Sequence, residues 1–144
     1  MNNIQYKYSK MDLGQFAMFE DNYSIEIKEV EFNTNTMFSY DFENRTLACK
    51  ISVVSSQKEK PLFKIEVNSY FELSPDSIES LKKENEISFP PSILIQFASF
   101  CYGATRGVVF TKTIGTPLNH LILPPVYFNN IIDKGFAVNI SDNH

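Results

Sequence analysis

The stretch that follows Pro90 and Pro91 constrains the fold of this chain more than any other. Proline suits the first turn of a helix, where its missing N–H costs no hydrogen bond, so a helix is predicted to begin here. Apolar or small residues then recur three and four positions apart, which places them on one helix face. They are Leu94, Phe97, Ala98, Cys101, Ala104 and Val108. Because Ile93, Phe100 and Val109 lie off this stripe, the helix has more apolar surface than one packed face requires.

Two glycines, Gly103 and Gly107, stand one turn apart within the predicted helix. Each costs about 1 kcal/mol relative to alanine, a cost that close approach of another backbone usually offsets. Two interpretations remain open: a sheet of the same chain packs against the glycines, or an identical helix of a second subunit crosses there. In the second case the chain is a dimer or tetramer, with contacts through Phe97, Phe100, Gly103 and Gly107.

The segments before this helix alternate apolar and polar side chains, which is typical of β-strands with one buried face. A first strand is predicted from Ile4 to Tyr8, followed by a turn at residues 12–14. A second strand runs from Tyr23 through Phe32, and clear strands follow at residues 47–53 and 63–73. Four antiparallel strands in a meander, a short helix capped by Ser74 and the long helix predict a single α+β domain over residues 1–144.

Composition and motifs argue against several classes of function. The formal net charge of -4 argues against a nucleic-acid partner, which would need a concentrated basic surface. No secretory signal and no long apolar run is evident, which predicts a cytoplasmic protein without membrane insertion. Cys49 and Cys101 are predicted to be packed, reduced thiols. The sequence has no catalytic motif, phosphate loop or metal-ligand spacing, so we expect no enzyme, no cofactor and no metal site.

The segment from Pro90 to Phe128 resembles part of a known protein family. A proline-opened helix, a Gly-x-Pro stop, an aliphatic triplet and the sequence Leu123-Pro124-Pro125-Val126-Tyr127-Phe128 resemble the carboxy-terminal half of SecB-type export chaperones. The family motif is Leu-(Pro or Ala)-Pro-Val-Asn-Phe, from which only Tyr127 departs. The resemblance covers about two thirds of the chain, with weaker matches in the strands at 47–54 and 60–73.

This resemblance implies an ATP-independent chaperone that binds unfolded or precursor polypeptides in hydrophobic grooves, forms a tetramer and delivers clients to the SecA motor. The groove residues it implies are Val30, Phe32, Phe71, Tyr127 and Phe128. Asp12 and Glu66 occupy the positions of acidic residues that contact the motor. Only about sixteen residues follow Phe128, where family members continue into a second long helix and an acidic tail, so holding of clients is better supported than handover.

Two alternatives accompany this reading. SecB-like proteins also protect a dedicated antitoxin partner, which uses the same binding chemistry. The chain could instead be an oligomeric interaction module whose groove is covered by its own carboxy-terminal tail, since Phe136, Val138 and Ile140 alternate in the manner of a strand.

Overall fold

A computed structural model describes residues 3–140 of the chain. It has one four-stranded sheet, one small three-stranded sheet and two helices. In chain order the elements are β1 (Tyr6–Met18), β2 (Glu31–Asp41), β3 (Thr46–Gln57), β4 (Lys60–Leu73), α1 (Pro75–Leu81), β5 (Lys82–Lys83), β6 (Glu86–Phe89), α2 (Pro91–Lys112) and β7 (Phe136–Asn139). Short 3₁₀ turns lie at Glu20–Asn22, Pro117–His120 and Phe128–Asn130.

The large sheet is antiparallel and has the strand order β1-β4-β3-β2. The predicted α+β class, with four antiparallel strands followed by a long helix, is confirmed. The consecutive meander is wrong in one respect, because β1 pairs with β4 rather than with β2. A crossover, residues 19–30, carries the chain from one edge of the sheet to the other. Alternation within strands does not specify which strands become neighbours, so the sequence pattern did not reveal this order.

Strand β1 extends past the predicted end at Tyr8 to Met18. Two bulges within it break the regular alternation from which the strand was predicted. Its pairing with β4 shifts between Tyr8 and Lys10 and again between Leu13 and Gln15. Each extra residue reverses the side-chain parity, so six apolar side chains share the face that carries the core despite their irregular spacing. They are Tyr6, Tyr8, Met11, Leu13, Phe16 and Met18. The predicted turn at residues 12–14 is therefore wrong, since Gly14 marks the second bulge.

The crossover also replaces the first part of the predicted second strand. The amide of the buried Gln57 side chain bonds the Ser24 N–H at 2.9 Å, the Ser24 carbonyl at 3.0 Å and the Ile27 carbonyl at 2.9 Å. These bonds satisfy backbone groups that would otherwise pair in a sheet. Val30 consequently lies in the crossover, whereas Phe32 is the second residue of β2.

Strands β3 and β4 form the hairpin that the alternation predicted. Its turn is short, because Lys58 and Glu59 both adopt positive φ, 48° and 69°, as a two-residue type I′ turn requires. The inner side chains of both strands, from Leu47 to Leu73, form the fully buried layer beneath α2. These two strands are therefore the centre of the core.

Helix α2 begins at Pro91 as predicted, with Pro90 as its N-cap, and packs across β3 and β4. The rings of Phe97 and Phe71 stack with centroids 4.0 Å apart and an interplanar angle of 7°. By length and composition α2 is long and apolar enough to cross a membrane, with a mean hydropathy of 1.3 over 18 of its residues. Here it covers a sheet, and 44% of that apolar window is buried.

The small sheet has the order β5-β6-β7 and joins the end of the chain to the segment before α2. The alternating segment that begins at Phe136 forms the strand β7, which pairs antiparallel with β6 from Phe136 opposite Phe89 to Asn139 opposite Glu86. A Cβ on Gly135 would lie 2.5 Å from the Phe89 carbonyl oxygen, closer than carbon and oxygen can approach. Only glycine therefore allows the chain to enter β7 along this path.

Candidate polypeptide-binding cleft

A cleft of about 410 Å³ opens between β2 and the segment near the end of the chain; we call it the β2 cleft. Its sheet side is formed by residues 34–38 of β2, and Leu94 of α2 also lines it. Phe128 and residues 131–136 form the opposite side. Because β2 alternates, Thr34, Thr36 and Phe38 share the inner face with the core, so the cleft is continuous with the apolar interior.

The segment Leu123–Phe128 holds the far side of the cleft in place. Leu123 and Phe128 are buried, whereas Pro124, Pro125 and Tyr127 point outward. The Tyr102 hydroxyl donates a hydrogen bond of 2.5 Å to the Pro124 carbonyl, and the Tyr102 ring meets Phe128 edge to face at 5.8 Å. Burial raises the pKa of Tyr102, which keeps this donor protonated. The two prolines offer no N–H, so this extended segment crosses the protein without joining a sheet.

The end of the β2 cleft at Phe38 and Phe136, which we call its upper end, is aromatic. Phe136 lies 6.4 Å from Phe38 and stacks on Phe89 at 6.1 Å with an interplanar angle of 20°. Tyr40 packs against the same Phe89 ring at 5.3 Å, and burial raises the pKa of Tyr40 to about 12. Aromatic faces accept many side chains in contact, so this end of the cleft suits a partner of variable sequence.

The two edges of the large sheet differ. Edge strand β1 contains two bulges, a common device that prevents another strand from pairing. Edge strand β2 pairs with β3 over eleven residues without a register shift. Within residues 3–140 no strand pairs with the outer edge of β2. The β2 cleft thus lies beside a regular strand edge whose backbone groups are open to a partner.

Comparison with known proteins bears on this architecture. No protein-family model and no curated protein matches the sequence. A solved structure of the Mycobacterium tuberculosis SecB-like chaperone Rv1957, in complex with a ChAD peptide from the Rv1956 HigA1 antitoxin, superposes with a TM-score of 0.54. The match covers 84% of this chain and 90% of that one at 10% sequence identity. The chain has a SecB-like fold. At this identity the likeness concerns the fold alone.

The SecB-like fold does not bring the five expected groove residues together. Phe71 and Phe128 are buried, and Phe71 is fully enclosed by Phe97, Tyr6 and Tyr8. Phe71 is therefore inaccessible in this conformation, and its contact with a client stays a prediction. Phe128 contributes to the wall of the β2 cleft from its buried position.

The other three expected groove residues differ in their exposure. Tyr127 is 66% exposed and points away from the core, whereas Val30 and Phe32 are partly buried against it. Sequence reasoning missed Thr34, Thr36, Ile131 and Ile132 of the β2 cleft. The continued alternation from Phe32 through Tyr40 was the signal for the two threonines, but their polarity hid them.

The exposed side of α2 carries a second candidate surface, the outer stripe, formed by Phe100, Gly103, Gly107 and Phe110. Phe100 is 45% exposed and Phe110 is 56% exposed, and their three-and-four spacing places them in line with the glycines. An added Cβ at either glycine meets nothing within 4 Å. The interpretation that a sheet of the same chain packs against these glycines is therefore wrong.

Phe97, expected among the contacts between copies, is fully buried against Phe71. Its ring belongs to the core of a single chain, so its role in oligomer contact stays a prediction without an exposed surface to support it. A groove of about 400 Å³ extends the outer stripe toward Leu121 and Ile122.

The expected motor contacts lie on the outer face of the sheet, on neighbouring strands. The Asp12 carboxylate accepts hydrogen bonds from the Asn68 amide at 2.8 Å and the Tyr70 hydroxyl at 3.0 Å. The bond from Asn68 is the main reason that the pKa of Asp12 is lowered. Glu66 lies 3.8 Å from the Lys50 amine. Both carboxylates are thus partly accessible on the outer face and engaged with neighbouring residues.

Cys49 and Cys101, predicted as packed thiols, are buried and unpaired where α2 meets β3. The Cys101 thiol lies 3.5 Å from the Cys49 carbonyl oxygen. Hydrogen bonding with Cys101, together with burial, raises the pKa of the Cys49 thiol, so Cys49 stays protonated and unreactive. Among residues 3–140, no group of three or more His, Cys, Asp or Glu side chains could hold a metal ion.

Proposed function

We propose that this chain is an ATP-independent chaperone that holds extended segments of non-native polypeptides in the β2 cleft. The observation that carries the proposal is the coincidence of an unobstructed strand edge with a cleft that is aromatic at one end. An extended segment placed along β2 would bond its backbone to that edge and point alternate side chains into the cleft. Backbone bonding does not depend on sequence, which suits a binder of many clients.

Binding of this kind gains from several copies. A single cleft of about 410 Å³ lies at the small end of the range for ligand pockets and covers only a short part of an extended client, so each site is weak. We propose that the outer stripe joins two or more copies into a dimer or tetramer, because its glycines let a second helix approach closely. Several clefts acting on one flexible client then raise the overall affinity by about 10² to 10⁴.

Export is the finer form of this proposal. It would place the chain in the cytoplasm, with Asp12 and Glu66 on the outer sheet face available to a SecA-type motor. The accessibility of both carboxylates on neighbouring strands supports this assignment. An alternative client is a dedicated antitoxin, as the structural neighbour's own peptide complex suggests. Neither role requires catalysis or a cofactor, because holding a client needs only surface.

The proposal is tested with lysine substitutions on the two faces of β2. Thr36→Lys places a charge on the inner face at the β2 cleft, whereas the control Asn33→Lys places it on the exposed outer face of the same strand. Loss of one apolar contact site in the cleft should weaken the binding free energy by about 1.5–3 kcal/mol, which is the value of burying one apolar side chain. Thr36→Lys should therefore weaken the Kd for a labelled, permanently unfolded protein roughly ten- to hundredfold.

Fluorescence anisotropy gives the Kd, and thermal unfolding of both variants confirms that each is folded. Equal affinity in Thr36→Lys and Asn33→Lys would place the client elsewhere. Absence of binding by the unmodified chain would contradict the chaperone proposal and favour the interaction module. Retention of an antitoxin-derived peptide but not of a generic unfolded protein would favour the dedicated partner.

A further inference from the structure

The last part of the described chain contributes only partly buried side chains to the core, among them Ile132, Phe136, Val138 and Ile140. Phe128 is the final fully buried residue, and no side chain from 129 to 140 is buried to the same degree. We call residues 129–139 the strap, because they cross the open side of the β2 cleft and line it from Ile131 to Phe136. Segments with few buried apolar contacts open locally at low free-energy cost. The strap therefore has the character of a movable element over a rigid core.

The far end of the strap is attached by a short contact. Strand β7 pairs with β6 over only four residues, and just beyond it the Ile140 N–H donates a hydrogen bond to the Asn85 carbonyl at 2.8 Å. The Phe136 ring lies at the upper end of the β2 cleft, between Phe38 and Phe89. The strap thus places one of its own aromatic side chains where an extended client would place one.

Gly135 makes the attached state possible. Its Cα faces the Phe89 carbonyl so closely that an added Cβ would lie 2.5 Å from that oxygen and 3.7 Å from the Pro90 Cα. Both atoms belong to the backbone where β6 leads into α2 and do not yield as a flexible side chain would. Substitution of this glycine therefore acts directly on the attachment of the strap.

We propose that the strap is a displaceable internal occupant of the β2 cleft, and that clients with an aromatic side chain bind by taking the place of Phe136 as β7 separates from β6. This inference rests on the proposed function of the cleft. While the strap is attached, only the separated fraction of molecules offers the full site, so the apparent affinity falls by that fraction. The strap thereby sets how tightly the chain holds a client.

Three variants test this inference by their affinity for a labelled, permanently unfolded protein. Gly135→Ala should release β7 and tighten the Kd at least threefold, with Ala137→Ser on the exposed side of β7 as the matched control. Phe136→Ala removes the competing ring while leaving the backbone pairing intact and should also tighten binding. Ser88→Cys with Ala137→Cys joins a directly opposed pair of β6 and β7 by a disulfide, which should weaken binding until it is reduced.

Hydrogen exchange verifies the state of the strap in each variant, because the amides of β7 should exchange faster in Gly135→Ala and slower in the locked form. Unchanged or weaker binding by both Gly135→Ala and Phe136→Ala would overturn the inference, since the strap would then be part of the binding wall. Equal binding by all forms also overturns it but leaves the proposed function standing. Failure of every form, including the unmodified chain, to bind would remove the proposed function as well.

Discussion

The glycines of the outer stripe give a prediction in which stability and association change in opposite directions. Gly103 and Gly107 lie within α2, and a Cβ at either position meets no atom within 4 Å. Replacing glycine by alanine within a helix gains about 1 kcal/mol, since alanine loses less backbone freedom on folding. Gly103→Ala and Gly107→Ala together should therefore raise the free energy of unfolding of an isolated chain by about 2 kcal/mol.

Association should respond in the opposite sense if a second helix packs on these glycines. An added methyl group in a tightly packed contact typically costs about 1–3 kcal/mol. That cost corresponds to a dissociation constant roughly five- to more than a hundredfold weaker. Sedimentation equilibrium over a range of concentrations gives the mass and the dissociation constant, and urea unfolding at the lowest concentration gives the stability.

Ser99→Ala is the matched control. Ser99 is exposed on α2, and its hydroxyl bonds the Ile95 carbonyl, so the substitution raises helix propensity without adding an atom. It should stabilise the chain slightly and leave association unchanged. If Gly103→Ala and Gly107→Ala stabilise the chain while its mass and dissociation constant stay the same, the glycines are not a contact between copies. If the two substitutions destabilise an isolated chain, the conclusion that an added Cβ at these positions meets no other atom is wrong.

Two further predictions concern the core and its response to pH. Phe97→Ala should lower the free energy of unfolding by about 3–5 kcal/mol in urea denaturation, because it leaves a cavity beneath α2, whereas Phe100→Ala at the half-exposed stripe should cost less than half as much. Similar losses at both positions would contradict the assignment of Phe97 to the core. Burial raises the pKa of Tyr40 to about 12 from an ordinary value of 10.0, so its contribution to stability is complete below pH 10 and is lost as the pH rises toward 12. Tyr40→Phe should therefore lose about 1 kcal/mol less stability than the unmodified chain between pH 9 and pH 11 in urea denaturation, and equal losses would refute this role for Tyr40.

The sequence by itself determined the elements whose signals are local. Pro90 and Pro91 specified the start of α2 because proline suits a first turn. Three-and-four spacing identified only part of the face that meets the sheet, since Ile93 and Val109 lie off the predicted stripe and are nevertheless buried. Strict alternation located β3 and β4, since both lie at the centre of the sheet with one face buried. The motif from Leu123 to Phe128 indicated the SecB-like fold, although not which of its side chains are exposed.

Tertiary structure decided everything that depends on which distant residues become neighbours. The pairing of β1 with β4 and its two bulges follow from matching apolar side chains on two strands, which alternation in one strand does not encode. Phe71 is buried because Phe97 covers it from α2, so the same aromatic residue would have been a contact surface without that helix. The β2 cleft joins Thr36 to Ile131 across almost a hundred residues of chain, and only packing of the core brings them together.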